Sequence, residues 1–212
     1  MKTEGSNRKI LLDIWAHIIP EPDVHYINHI FDVPPNASKV GVILTFVKKA
    51  DQVQLYISLH DPKGFRGHQQ CSGPPGDVCL DLWLSPDDAD EGALPGLLPA
   101  AEWRAQIDFD RLFIEADYHL VAYAEFDSVP EFLPFIYPEA HVVKPEAGWY
   151  QGELHAHSSE SDGEYPVHTV VEAALDTGLD FLSLTEHFTI SQWRKFISFI
   201  DQPIALVRSC EI

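Results

Sequence analysis

From about residue 24 to residue 145 the apolar side chains recur at every second position, and this limits the fold more than any other feature of the chain. Val40, Val42, Leu44 and Phe46 alternate with Lys39, Gly41, Ile43 and Thr45. Val53, Leu55, Ile57 and Leu59 alternate with Gln54, Tyr56, Ser58 and His60. Similar runs cover Val78–Leu84, Trp103–Phe109, Tyr118–Phe126 and Val24–Phe31. Successive side chains on a strand point to opposite faces, so each run places one face in a core and the other toward water. The segments between them carry Asp61-Pro62-Lys63-Gly64, Gly73-Pro74-Pro75-Gly76 and Leu94-Pro95-Gly96. Proline fixes φ and glycine permits positive φ, so strands end there. The pattern predicts an antiparallel β-sandwich over residues 24–147, preceded by an N-terminal segment, 1–23.

After Gly148 the texture changes. Gly152–His157 reads as a short strand, and Val167–Thr177 has helical spacing closed by Gly178. Asp180–Thr185 reads as a strand, Ile190–Ile200 as a helix and Ile204–Val207 as a third strand. Alternation of this kind predicts parallel βαβ units over residues 148–212.

Charge narrows the function classes. With 14 Lys+Arg against 33 Asp+Glu the formal charge is −19, and no basic cluster interrupts it. Binding to a phosphate backbone requires clustered cations, so nucleic acid is not an expected partner. A small-molecule substrate is expected instead, and the oligomeric state stays open. No run approaches the roughly 20 apolar residues of a membrane span. The N-terminal stretch (Lys2, Arg8, Lys9, then Ile10 to Ile19) imitates a signal peptide, but Asp13 and His17 interrupt it and no small-residue cleavage site follows. A cytoplasmic protein is the expectation. Cys71, Cys79 and Cys210 are too few for a disulfide framework. A Cys71–Cys79 bridge stays open beside the simpler reading of ordinary thiols. The acidic run Asp87–Glu91 reads as a solvated loop without the ligand spacing of a calcium site.

The chemistry concentrates near the C-terminus. In Glu153-Leu154-His155-Ala156-His157 two histidines stand two apart, a spacing that on a strand turns both rings to one side. Ser161-Asp162-Gly163 follows as a carboxylate in a tight loop. The second predicted strand runs into Thr185-Glu186-His187 and the third into Ser209-Cys210-Glu211. Three parallel strands thus end in His or carboxylate at the edge where sites of α/β folds assemble. Such donors suit Zn, Mn or Fe(II), and a glutamate such as Glu211 can bridge two ions that activate water. No phosphate-cradling Gly-rich loop and no nucleophile elbow is present. Glu186 and Thr185 flank a ligand and are placed to orient it. Arg208 stands near the same edge, open to either an anionic substrate or an ordinary salt bridge. His168, His60, His68 and His119 read as structural.

The segments ELHAHSSESDG, LSLTEH and SCEI together resemble the first three motifs of the PHP-domain metal-dependent phosphoesterases. DPKGFRG (61–67) and ALPGLLPAAEW (93–103) resemble the N-terminal sandwich of that superfamily's CehA/McbA-type branch. The resemblance implies an all-β sandwich followed by α/β, the latter being the first two to three βα units of a PHP-type (β/α)7 barrel. It implies two or three divalent ions and hydrolysis of a phosphoester or related ester or amide. It carries the metal-ligand roles onto His155, His157, Asp162, His187 and Glu211, and leaves the catalytic acid and base unassigned. The family's usual Thr-Asp-His reads Thr185-Glu186-His187 here. Its later ligands would follow Ile212, so the expectation is an incomplete piece of such an enzyme. The alternative is a sandwich that binds a ligand and carries a vestigial, non-catalytic barrel.

Overall fold

The structure, a computed structural model, describes residues 7–71, 73–132, 134–135 and 143–212. The chain divides into two compact units, Met1–Leu133 and Pro134–Ile212.

In the first unit the strands are β1 (Arg8–Ile18), β2 (Tyr26–Asp32), β3 (Lys39–Lys48), β4 (Val53–Asp61), β5 (Gly64–Gln69), β6 (Gly76–Leu84), β7 (Glu102–Leu112) and β8 (Ala116–Glu125). They pair antiparallel as two four-stranded sheets, β1-β8-β3-β6 and β2-β7-β4-β5. Val40, Val42 and Leu44 from one sheet and Val53, Leu55, Ile57 and Leu59 from the other are fully buried in one shared core. Each aliphatic side chain so buried contributes about 1.5–3 kcal/mol. The alternation read from the sequence therefore identifies the inward face of both central strands.

Two strands lie outside the runs read from the pattern. β1 lies inside the stretch set apart as a terminal segment; Lys2 is outside the described residues. Its register on β8 shifts between Ile10 and Leu12, and that irregularity puts three apolar residues in a row where alternation would be sought. β5 begins at Gly64, whose φ of 135° turns the chain out of β4. The sequence read this Gly only as part of a turn. Cys71, Cys79 and Cys210 are all free thiols. Among the described residues no helix is long and apolar enough to cross a membrane.

The second unit contains β9 (Gly152–Ala156), α1 (Val167–Asp176), β10 (Phe181–Leu184), α2 (Gln192–Lys195), a 3-10 turn over Phe196–Phe199, and β11 (Ala205–Arg208). β10 pairs in parallel with both β9 and β11. Val167, Val171 and Ala174 form the buried stripe of α1, against Leu182 and Leu184 of β10. The helix stops at Gly178, which takes φ 76°, with Gly178 N–H donating to Leu175 O and Leu179 N–H to Ala174 O.

The expected fold class is corrected here. Most of the ordered strand lies in antiparallel sheets, and the described residues hold only two α-helices, one of them four residues long. No α/β barrel is built: the parallel part is an open three-stranded sheet with strands of four or five residues. The physical reason lies partly in residues 190–200, which the sequence read as one helix. Gln192 and Trp193 donate to Leu184 O and Ser209 O at the sheet end, and the segment tightens into a 3-10 turn after Lys195.

Two tests follow from the first unit. The Tyr123 ring covers Gly41 so closely that a Cβ there would meet it at 2.4 Å, while its hydroxyl donates to Asp81 and Arg8 stacks on its face. Gly41→Ala should therefore cost about 1–3 kcal/mol in chemical denaturation, and an unchanged midpoint would contradict this packing. Burial lowers the pKa of His29 and of His60 from the usual 6.5. Both rings are thus favoured neutral when folded, so their contribution is present above about pH 6.5 and is lost as pH falls. His29→Gln with His60→Gln should flatten the loss of stability between about pH 7.5 and about pH 5; equal slopes would exclude these imidazoles as its cause.

Candidate metal centre

The carboxyl ends of β9, β10 and β11 lie side by side because all three strands run the same way. β9 carries a bulge: Leu182 pairs with Glu153 and Leu184 with Ala156, so one extra residue sits between these pairs. The amides of Leu154 and His155 both donate to Glu153 Oε1, at 2.9 Å each. A bulge beside a site re-aims side chains, and here it opens directly into His157. His155 is thus not held by simple strand alternation as the sequence suggested, yet its ring still lies 5.1 Å from that of His157.

Beyond β10, His187 bridges in parallel to Glu211, with Phe188 N–H donating to Glu211 O and Glu211 N–H donating to Glu186 O, each at 2.9 Å. Ser209 is anchored just before: its hydroxyl reaches Leu184 O, and its carbonyl accepts from Gln192 and Trp193. These backbone ties deliver the Glu211 carboxylate into the middle of the histidines. Its Oε2 lies 2.8 Å from His155 Nε2, 3.6 Å from His157 Nε2 and 3.8 Å from His187 Nδ1.

Asp162 arrives on the other side. Gly163 N–H donates to Ser158 O, and the loop folds so tightly that a Cβ on Gly163 would meet the His157 backbone at 2.6 Å. Asp162 Oδ1 then lies 3.6 Å from His157 Nδ1 and Oδ2 lies 3.6 Å from His187 Nε2. The His157 and His187 rings stack 4.7 Å apart and 10° from parallel.

The five residues form two donor groups, His155–His157–Glu211 and His157–Asp162–His187, with the donor atoms of each within 4.8 Å of one another. His157 belongs to both through its two nitrogens. Among the described residues its buried Nδ1 has no hydrogen-bond partner, which is costly for an imidazole nitrogen unless another group meets it. The all-nitrogen-and-oxygen donor set and this orphaned atom fit divalent ions of the Zn, Mn or Fe(II) kind.

All five residues named from sequence meet here. Of the others considered, His168 is exposed on α1, His68 is buried beside the Ser58 hydroxyl, His119 stacks on Trp15, and His60 packs edge-on to Phe65. Arg208 is exposed at the end of β11. Sequence reasoning missed the part played by Ser158 and Ser161, which bond the carboxylate of Glu186. Burial raises the pKa of that carboxyl despite these hydrogen bonds. No periodicity marks two serines in a loop, so only the fold could reveal them.

No family model and no curated protein matches the chain. Among solved structures, an acetyl xylan esterase (Est2A) from the rumen bacterium Butyrivibrio proteoclasticus overlaps with a TM-score of 0.28 at 11% identity, over 74% of this chain and 35% of the esterase. The virus-like particle of the extra small virus of the prawn Macrobrachium rosenbergii overlaps with a TM-score of 0.18 at 10% identity, over 58% of this chain and 82% of its own. Overlaps this slight bear on neither fold nor chemistry.

Gly163→Ala should push the loop off the His157 backbone while leaving β9–β11 paired. Divalent-ion affinity measured by calorimetry should fall by about 10–100-fold, the range for disturbing a ligand's support, and unchanged affinity would contradict the tight loop.

Proposed function

We propose that this chain carries the centre of a metal-dependent hydrolase acting on a phosphoester or a related ester or amide, in keeping with its resemblance to PHP-type motifs. The observation that supports this best is Glu211 Oε2, which faces three imidazoles within 3.8 Å while Asp162 faces two of them from across the stack. Divalent ions bound there would supply Lewis acidity toward the substrate's oxygen and a water of lowered pKa.

The protein's own residues do the rest. Glu211 links both donor groups through the histidines it faces, and its backbone fixes it between Glu186 and Phe188. His155 is exposed and marks the open side from which a substrate enters. Phe188 adopts a left-handed φ of 56° directly after His187 and keeps its ring partly exposed, 6.3 Å from the His187 ring. Strained backbone beside a site persists only where the surroundings enforce it, and this one holds an apolar surface next to the reacting centre. Hydrolysis there adds a water oxygen to phosphorus or carbonyl carbon, breaks the bond to the leaving group, and sends the leaving group off with a proton.

The test is hydrolysis of phosphomonoester, phosphodiester and carboxylic ester probes with added Mn²⁺, Zn²⁺ or Fe²⁺, with and without chelator. Activity should need the ion, and His155→Ala or His157→Ala should reduce it by more than the roughly 10–100-fold expected for an outer partner. Activity that survives both substitutions would refute the reading. Ion binding with no turnover of any probe would favour a non-catalytic binding module.

A further inference from the structure

Glu186 precedes a ligand in sequence, but its side chain reaches away from β10 to the loop after β9. It is completely buried. Oε1 accepts from Ser158 N–H at 2.9 Å and from the Ser158 hydroxyl at 2.5 Å, and Oε2 accepts from the Ser161 hydroxyl at 2.5 Å. Ser158 directly follows His157, and Ser161 directly precedes Asp162. The Glu186 carbonyl meanwhile accepts from Glu211 N–H. One residue therefore touches every segment that bears a donor, apart from the strand holding His155.

We infer that Glu186 is the positioning residue of this centre, and that it sets the half made by His157, Asp162 and His187; the inference rests on the metal reading above. Asp162 cannot hold the loop by itself, since its side chain is substantially exposed and its closest imidazole contacts are 3.6 Å. The hold comes from beneath. A carboxylate is an acceptor at both oxygens, which matches three converging donors, and hydrogen bonds to a carboxylate are the stronger kind. Side-chain length matters as well. Aspartate, the usual residue of the resembling motif, is shorter by one C–C bond of about 1.5 Å and cannot span to both serines. Glutamine keeps the length and one acceptor oxygen, and the Ser161 hydroxyl can rotate to accept from its amide.

The test uses the full chain, with Mn²⁺ as the probe ion, and two readouts. Hydrogen exchange of the Ser161 and Gly163 amides, both of which donate to Ser158 O, reports the loop without any ion. Calorimetric titration reports the two ion equivalents. Glu186→Asp and Glu186→Ala should speed exchange of these amides by about tenfold or more, and should weaken the second equivalent by about 10–100-fold with the first retained. Glu186→Gln should restore both readouts most of the way to those of the unaltered protein. If Glu186→Ala fails to fold by circular dichroism, Glu186→Asp and Ser161→Ala carry the same expectation. Unchanged exchange and two unchanged equivalents in Glu186→Asp would overturn the inference, as would equal weakening of both equivalents. Absence of Mn²⁺ binding by the unaltered protein would overturn the metal reading itself, and the exchange rates would then decide the loop assignment alone.

Discussion

The donor cluster exists because β10 pairs in parallel with a neighbour on each side. Parallel pairing puts the carboxyl ends of β9, β10 and β11 at one edge, so residues more than 50 positions apart in the chain become neighbours there. The strands are only four or five residues long, and so few ladder bonds would leave their ends loose. Side chains make up the difference. Gln192 and Trp193 bind the carbonyl after β11, Ser209 binds the last residue of β10, and Ser183 meets Ser209 hydroxyl to hydroxyl. Each interaction satisfies a polar group at the frayed end of a strand, where an unmade hydrogen bond would cost more than a made one contributes.

The first unit follows a different logic, in which repetition replaces special contacts. Two sheets bury one face of each central strand in a common core, and the outer faces carry polar or half-exposed residues. An ion pair is taken deep into this unit. Arg66 meets Asp61 at 2.7 Å with both side chains nearly inaccessible, and also donates to the carbonyls of Leu94 and Leu97. Burying these charges is tolerable because the guanidinium finds a carboxylate and two carbonyls together, which also fastens the loop after β6 onto β5.

Legibility in the sequence tracked how far each signal depends on neighbours in the chain. Alternation is local, so the buried faces of β3, β4, β6 and β7 could be read directly. The helix stop at Gly178 is local too. Four of the five donor residues were legible because each sits at or just past the end of a short strand-like run, and Asp162 because it stands in the Ser-Asp-Gly loop that follows the first of them. What failed was everything decided at a distance. In β1 the register shift between Ile10 and Leu12 interrupts the pattern, although Leu12, Ile14, Ala16 and Ile18 alternate with Asp13, Trp15 and His17 beyond it. The segment 190–200 has a helical composition, but its side chains are claimed by carbonyls of the sheet, and it does not form the long crossover helix that a barrel would use. The buried clamp of Glu186 on two serines left no trace in spacing or composition.

The same distinction bears on the chemistry. Three imidazoles and two carboxylates form two donor groups joined at His157, within a chain whose formal charge is −19. Each group sets one carboxylate among imidazoles, a mixed set whose oxygen and nitrogen lone pairs can converge on a cation. Divalent ions held there would offset the acidic charge and take the ring nitrogens as ligands. The third strand end also offers Cys210, but its thiol donates to the Glu211 carbonyl and, among the described residues, it joins neither donor group. On the metal reading both donor groups offer nitrogen and oxygen alone, the set suited to ions that accept histidine and carboxylate together.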